Sequence, residues 1–436
     1  MGLKQEKAVY TKLGEKINNL TVRTPLNETF YSILKELYTT EEADVVANMP
    51  YTLSSLDRIS RATRIETDHL RDVLGNLCLK GLVMDFWNES ENQYYYMPSP
   101  LAVGIFEFTM MRKGKDLNSK QLAHLFHDYF CDVFPANFSQ NEQISIMRVI
   151  PVEETIPPEK GMEFLDYEKA SSIIDDSKKF AIGVCSCRNE KNLLGEKLCD
   201  VPLDGCSMFN IGADYMIRNH LAREVTKSEM QDNFARSREY GLVFCSWNTQ
   251  KNPMAVCHCC KCCCNYLSGL SKFGYLNSVI TSTFLSHIDT ETCTGCGKCV
   301  EVCPVNAIGL VSANDPKNKK KKMARVDERI CIGCGVCALK CPTGSAEMIE
   351  RGSRVIHPET MFEATILATL ERGSLQNQLF DDPHSRTHEF MRTFVGAFLR
   401  LPLVKKALMS DVLRSSFLNV MKQGAKLQGK GWMTEM

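Results

Sequence analysis

Several things are missing from these 436 residues. No sign of charge prevails: 52 basic and 52 acidic side chains cancel, so no global electrostatic argument points to nucleic acid or another polyanion. No apolar run approaches the roughly 20 residues of a membrane span, and the opening MGLKQEKAVYTKLGEK lacks the apolar core of a secretory signal. Neither a GxGxxG fingerprint nor a Walker GxxxxGK[ST] occurs. A built-in nucleotide or flavin therefore has no sequence support, and the chain shows no hydride donor or acceptor of its own. No nucleophile, base and orienting group stand out, and His220 and Asp214 read as structural. Cysteine is scarce in the first part, where only Cys78 and Cys131 precede residue 185.

The other nineteen of the 21 cysteines lie between 185 and 341. An odd total in a long chain without a signal core argues against a disulfide scaffold and for reduced thiols used as metal ligands in a cytoplasmic setting. Between Cys293 and Cys341 one pattern is written twice, CTGCGKCVEVCP and CIGCGVCALKCP, each CxxCxxCxxxCP. Cysteines at two-residue intervals wrap a single centre only if the backbone turns tightly, which Gly295, Gly297, Gly333 and Gly335 permit. Pro304 and Pro342 redirect the chain afterwards. Zinc knuckles of CxxC type space two pairs far apart and do not fit.

Residues from about 287 to 350 resemble a bacterial 2[4Fe-4S] ferredoxin domain. The resemblance implies two [4Fe-4S] clusters in which the fourth cysteine of each run serves the other cluster: Cys293, Cys296, Cys299 and Cys341 for one, Cys331, Cys334, Cys337 and Cys303 for the second. The insert NDPKNKKKKMARVDE, with Lys317 and Lys319 to Lys322, is either a solvated loop or a basic docking surface for an acidic redox partner.

A second cysteine field lies upstream. DYEKASSIIDDSKKFAIGVCSCR reads as a helix and a buried strand delivering Cys185 and Cys187, and Cys199 and Cys206 follow. In CHCCKCCCN, six cysteines from Cys257 to Cys264 crowd eight positions; adjacent side chains diverge, so they are not expected to share one metal. Further Fe-S ligation, a structural zinc held by four cysteines or by three with His258, and redox-active dithiols are the competing readings.

The amino-terminal part shows helical spacing at Phe30, Tyr31, Leu34, Leu37 and Tyr38, at Leu53, Leu56 and Ile59, and at Leu70, Val73, Leu74 and Leu77 between a Thr67 N-cap and Gly81. LVMDFW and YYYM then flank the turn NESENQ. Helices followed by a hairpin resemble a winged helix-turn-helix over residues 25 to 98. DNA binding and docking both follow from that resemblance, and Glu66, Asp68 and Asp72 on the third helix favour docking. His124 and His127 read as surface histidines of a helix with an apolar stripe, and PVEETIPPEKG reads as a linker before a domain starting near Met162. Phe390, Phe394, Val395, Phe398 and Leu399, then Val404, Leu408, Val412 and Leu413, form a basic amphipathic tail suited to a partner subunit or, alternatively, peripheral membrane contact.

Together these features resemble multi-cluster ferredoxin-like electron-transfer proteins of anaerobic metabolism. That resemblance carries Cys185, Cys187, Arg188, Cys199, Cys206, Cys257, Cys259, Cys260 and Cys263 as candidate further metal ligands and cluster neighbours. The expected fold is α+β: a winged-helix-like domain (1–100), a helical connector and linker (101–160), a mixed α/β central cysteine-rich domain (161–286), a 2[4Fe-4S] ferredoxin-like domain (287–352) and a helical docking tail (353–436). The expected function is an electron-transfer component of a larger oxidoreductase rather than a stand-alone catalyst, with redox partner subunits and no nucleic acid. A redox-sensing DNA-binding regulator, and a reductase whose central cluster binds substrate at an iron with three cysteine ligands, are the alternatives.

Overall fold

Alternating and helical apolar patterns both occur in the chain, and they sort into a mixed α+β structure. The computed structural model describes residues 2–112, 117–137, 144–156, 164–274, 279–315, 318–352, 355 and 357–436. Contacts divide the chain into two units, one of residues 1–144, 214–222 and 361–436, the other of residues 145–213 and 223–360.

In the first unit the helix Glu28–Leu37 buries Phe30, Leu34 and Leu37 as their spacing predicts, and Asn27 caps it by accepting from the Phe30 N–H. The next helix, Thr40–Asn48, starts in a reciprocal capping box between Thr39 and Glu42. Thr67 does not cap the helix Thr67–Leu79 but is its first residue. The cap is Glu66, whose carboxylate accepts from the N–H groups of Asp68 and His69. A three-stranded sheet follows in the order β1–β3–β2, with β1 Ser54–Ser55, β2 Val83–Asn88 and β3 Gln93–Pro98. The tail forms helices Met361–Arg372, Leu375–Leu379, Arg386–Leu399, Pro402–Met409 and Asp411–Leu427. The pattern expected to run on through Val404 and Val412 is broken at Ser410 into two helices. Leu399, Met409 and Leu418 join Ile366, Leu367 and Leu370 in one core. Phe390, Phe394 and Phe398 stay outside it, 67%, 64% and 54% exposed.

The second unit is organised by a seven-stranded sheet in the order β10–β4–β8–β9–β6–β5–β7. The strands are β4 Met147–Ile150, β5 Phe180–Val184, β6 Asp204–Phe209, β7 Ala222–Val225, β8 Val243–Trp247, β9 Ala255–Cys259 and β10 Val279–Ile280. Side chains alternate across a strand, and one face carries Phe180, Ile182, Phe209, Phe244 and Val256 into a core completed by Phe234 and Met230. Four further strands, β11 Phe284–Ile288, β12 Ile308–Ser312, β13 Lys322–Val326 and β14 Ala346–Glu350, pair as β11–β14 and β12–β13. The lysine-rich insert is thus the tip of a hairpin, with Lys319 and Lys320 exposed. Lys317 lies outside the described residues, as do Met162 and the end of the expected linker. The described start of that linker is not free: Val152 is buried and its N–H donates to the Cys334 carbonyl at 3.1 Å. No helix of the described residues is long and apolar enough to cross a membrane.

His357 is buried in the second unit, with Nδ1 2.6 Å from Asn248 Oδ1. Burial, helped by the Arg148 cation, pushes its pKa down to about 3. A histidine kept neutral in the fold but free to protonate near pH 6.5 when unfolded stabilises the protein fully above about that pH, and the contribution is lost as the pH falls toward the folded value. Urea midpoints should therefore drop as pH falls from about 7 to about 4.5, and His357→Gln should flatten that dependence. Equal slopes for the two proteins would rule His357 out.

Candidate metal centres

The doubled motif folds as two copies of one device. Pairing of β11 with β14, from Phe284 opposite Glu350 to Ile288 opposite Ala346, brings the chain before the first motif beside the end of the second. The third cysteine of each CxxCxxC lies in the first turn of a short helix, Cys299 in Lys298–Val302 and Cys337 in Val336–Leu339. Two glycines admit no other residue. Gly295 and Gly333 have φ of +68° and +69°, and an added Cβ would lie 2.1 Å from the Lys322 carbonyl oxygen and 2.0 Å from that of Phe284.

These turns enclose two voids. Cys331, Cys334 and Cys337 line one together with Cys303. Cys293, Cys296 and Cys299 line the other together with Cys341. The fourth cysteine of each run has crossed to the other run's void. Residues 292–345 match the 4Fe-4S dicluster domain family.

The residues of this dicluster domain fit two [4Fe-4S] clusters on their own geometry. All eight thiols are free of disulfides and stand in two groups of four. Three sulfurs already accept backbone N–H groups: Cys303 from Ala307 at 3.2 Å, Cys293 from Ala324 at 3.5 Å and Cys341 from Ala346 at 3.4 Å. Such donors stabilise sulfur that carries negative charge. Burial pushes the Cys337 thiol up to about 12 and raises Cys334 and Cys303 as well. At Cys341 burial acts the same way, but hydrogen bonds from Ser345, Ala346 and Thr343 outweigh it and draw the thiol down to about 6. The two groups differ in exposure: Cys303, Cys331, Cys334 and Cys337 are all buried, whereas Cys296 is exposed.

A stretch of 82 residues is 38% identical to one component of the ion-translocating oxidoreductase complex of Methanosarcina acetivorans, covering 18% of this chain and 28% of that protein. The chain therefore spans little more than a quarter of that relative. No solved structure matches.

The central field divides in two. β9 alternates, so Val256 and His258 face the aromatic core while Cys257 and Cys259 face the other way. Cys245 of β8 sits opposite Cys257 in the register, and Cys206 lies on β6, next to β9 in the sheet. Cys185 caps the helix Ser186–Leu193, which carries Cys187 and Arg188 in its first turn. Hydrogen bonds link Cys206 to Cys257 and Cys187 to Cys264, holding the proton on Cys206 and Cys187 and lowering Cys257 and Cys264. Burial pushes Cys185 up to about 12. Arg188 lies among them 1% exposed, and its Nε and Nη1 have no hydrogen-bond partner. Burial would lower its pKa, but Cys185, Cys260, Cys259 and Cys206 reverse that and raise it. A buried guanidinium with two unsatisfied donors is costly unless an anion meets it.

The second group is Cys199, Cys260, Cys262 and Cys263, whose sulfurs all lie within 4.8 Å of one another. Cys199 does not stay with Cys185, Cys187 and Cys206, its neighbours in sequence: it meets Cys260 and Cys263, at 3.9 and 4.0 Å. Adjacent Cys262 and Cys263 converge, with sulfurs 3.4 Å apart, because they sit in a turn where strand alternation does not apply. His258 is no metal ligand here. Its two ring nitrogens are engaged by Ser207 and Ser237 at 2.8 and 2.6 Å, and burial lowers its pKa to about 3. Sequence reasoning left out Cys245, Cys262 and Cys264. Cys262 carried a signal in its own motif, whereas Cys245 is revealed only by strand pairing.

Gly333→Ala should cost the dicluster domain one cluster. Iron per chain after anaerobic purification is expected to fall by about four. Gly309→Ala, whose methyl would meet open space, should leave it unchanged; full iron in Gly333→Ala would contradict the close approach described here.

Proposed function

We propose that the protein is an iron-sulfur electron carrier acting as a component of a larger oxidoreductase. In this reading Cys293, Cys296, Cys299 and Cys341 hold one [4Fe-4S] cluster, Cys331, Cys334, Cys337 and Cys303 a second, and the Arg188 pocket, with ligands drawn from Cys185, Cys187, Cys206, Cys257 and Cys259, a third. The crossing of Cys303 and Cys341 into each other's voids carries the reading. Such clusters accept and release single electrons; this chain's residues set how readily, and where exchange occurs. The exposed Cys296 makes the first centre the natural point of contact with a partner. The lysines of the β12–β13 tip offer an acidic partner a basic edge.

Support for a place among other subunits comes from the relative, which is named as a subunit of an ion-translocating oxidoreductase complex. Residues 25–98 are proposed as a winged-helix-like docking module. On its helix Thr67–Leu79, Arg71 is paired with Asp68 at 2.7 Å and Asp72 is exposed, an arrangement that repels phosphate.

Two measurements test this reading. Iron and sulfide analysis of anaerobically purified protein should give about twelve iron atoms per chain; near eight would remove the Arg188 cluster, and near zero would end the proposal. Arg188→Met should lower the potential of the pocket cluster by on the order of 50 mV, equivalent to about 1 kcal/mol for one electron, because a cation favours the more negative reduced state. Arg188→Lys should shift it less. An EPR redox titration in which neither variant moves would leave Arg188 a packing role only.

A further inference from the structure

Four sulfurs differ in spacing from all the others. Cys199 Sγ lies 3.9 Å from Cys260 and 4.0 Å from Cys263, and Cys262 Sγ lies 4.0 Å from Cys260 and 3.4 Å from Cys263. A tetrahedron with metal–sulfur bonds of about 2.3 Å has an edge of about 3.8 Å. The observed separations scatter around that edge. In contrast, no three of the eight dicluster cysteines bring their sulfurs within 4.8 Å of one another. Sulfurs arranged around a four-iron void stand further apart than sulfurs arranged around one ion, and this chain contains both spacings.

We propose that Cys199, Cys260, Cys262 and Cys263 hold a single zinc ion. Four thiolates close the tetrahedron and leave no open position, which is the form of a structural site rather than a catalytic one. Binding replaces four S–H bonds with four Zn–S bonds and releases the protons to solvent. The placement suits a structural role. Cys199 rides on residues 194–203, which form neither helix nor strand, and lies 61 and 64 positions from Cys260 and Cys263. Val201 and Leu242 pack around the sulfurs, so the ion would fasten an irregular loop to the turn after β9. Lys261, inside the same turn, donates to the Glu301 carbonyl at 2.9 Å, which ties the knuckle to the dicluster domain. The site does not depend on electron transfer, and zinc and iron are counted separately, so either reading can fail without the other.

The test uses the full chain purified anaerobically. Elemental analysis should find about one zinc per chain beside the iron, and X-ray absorption at the zinc edge should find four sulfurs at about 2.3 Å. Cys262→Ser, at a half-buried position, should lose most of its zinc to a chelator wash that leaves wild-type zinc in place, with iron unchanged. Absence of zinc, a zinc edge showing nitrogen or oxygen ligands, or loss of either about one or about four iron atoms in Cys262→Ser would each overturn the assignment. The wild-type absorption measurement decides the matter even if the variant fails to fold.

Discussion

Thiolates gathered in a protein interior need a cation to hold them, because they repel one another where water cannot screen them. Metal coordination turns that liability into bonds and makes the site part of the folding energy. The second unit of this protein is built around that constraint. Its seven-stranded sheet has one face filled by phenylalanine and isoleucine and places Cys257 and Cys259 on the other. The aromatic face can form without metal; in the proposed reading the sulfur face depends on it. Arg188 makes the same point from the opposite sign, since a guanidinium with two unsatisfied donors buried among cysteines is stable where the sulfurs carry net negative charge.

The same ligand type can serve different ends because the surroundings differ. In the proposed carrier, one dicluster site has all four cysteines buried while the other has Cys296 at the surface. Exposure stabilises the more highly charged state, and N–H donors to sulfur do so locally, as at Cys303, Cys293 and Cys341. Two centres written with the same CxxCxxCxxxCP words would therefore have different potentials, and a difference in potential gives a relay its direction. The sequence repeat makes the centres alike; the packing of Val152 and Phe284 against the second copy makes them unlike.

Much of this was legible in the residues because it depends on local rules. The CxxCxxC spacing, the positive-φ glycines and the apolar spacing of Phe30, Leu34 and Leu37 all act within a few positions, and each appears where the pattern placed it. What was not legible depends on contacts distant in sequence. Nothing around Cys245 marks it as facing Cys257, since only the β8–β9 register does so. The loop of residues 194–203 carries Cys199 away from Cys185 and Cys187, its near neighbours in sequence, to a turn some sixty positions on. The Thr67 cap failed for a local reason instead: Glu66, one residue earlier, can reach two N–H groups with one carboxylate, and a charged acceptor at a helix start outcompetes a hydroxyl.

The octapeptide CHCCKCCC shows why spacing cannot be read without conformation. Its six cysteines take three backbone states. Cys257 and Cys259 end a strand, and period-2 alternation points them to one face with His258 on the other. Cys260, Cys262 and Cys263 surround a tight turn, where neighbouring side chains converge instead of diverging. Cys264 stands at the N-cap position of the helix Asn265–Phe273, where Cys187 and Cys259 first, and the N–H groups of Leu267 and Tyr266 after them, lower its thiol. A strand, a turn and a helix cap in succession send adjacent sulfurs to different sites. In the proposed assignment a run too dense for one metal serves two in this way, and the division between cluster pocket and zinc knuckle falls inside a single motif.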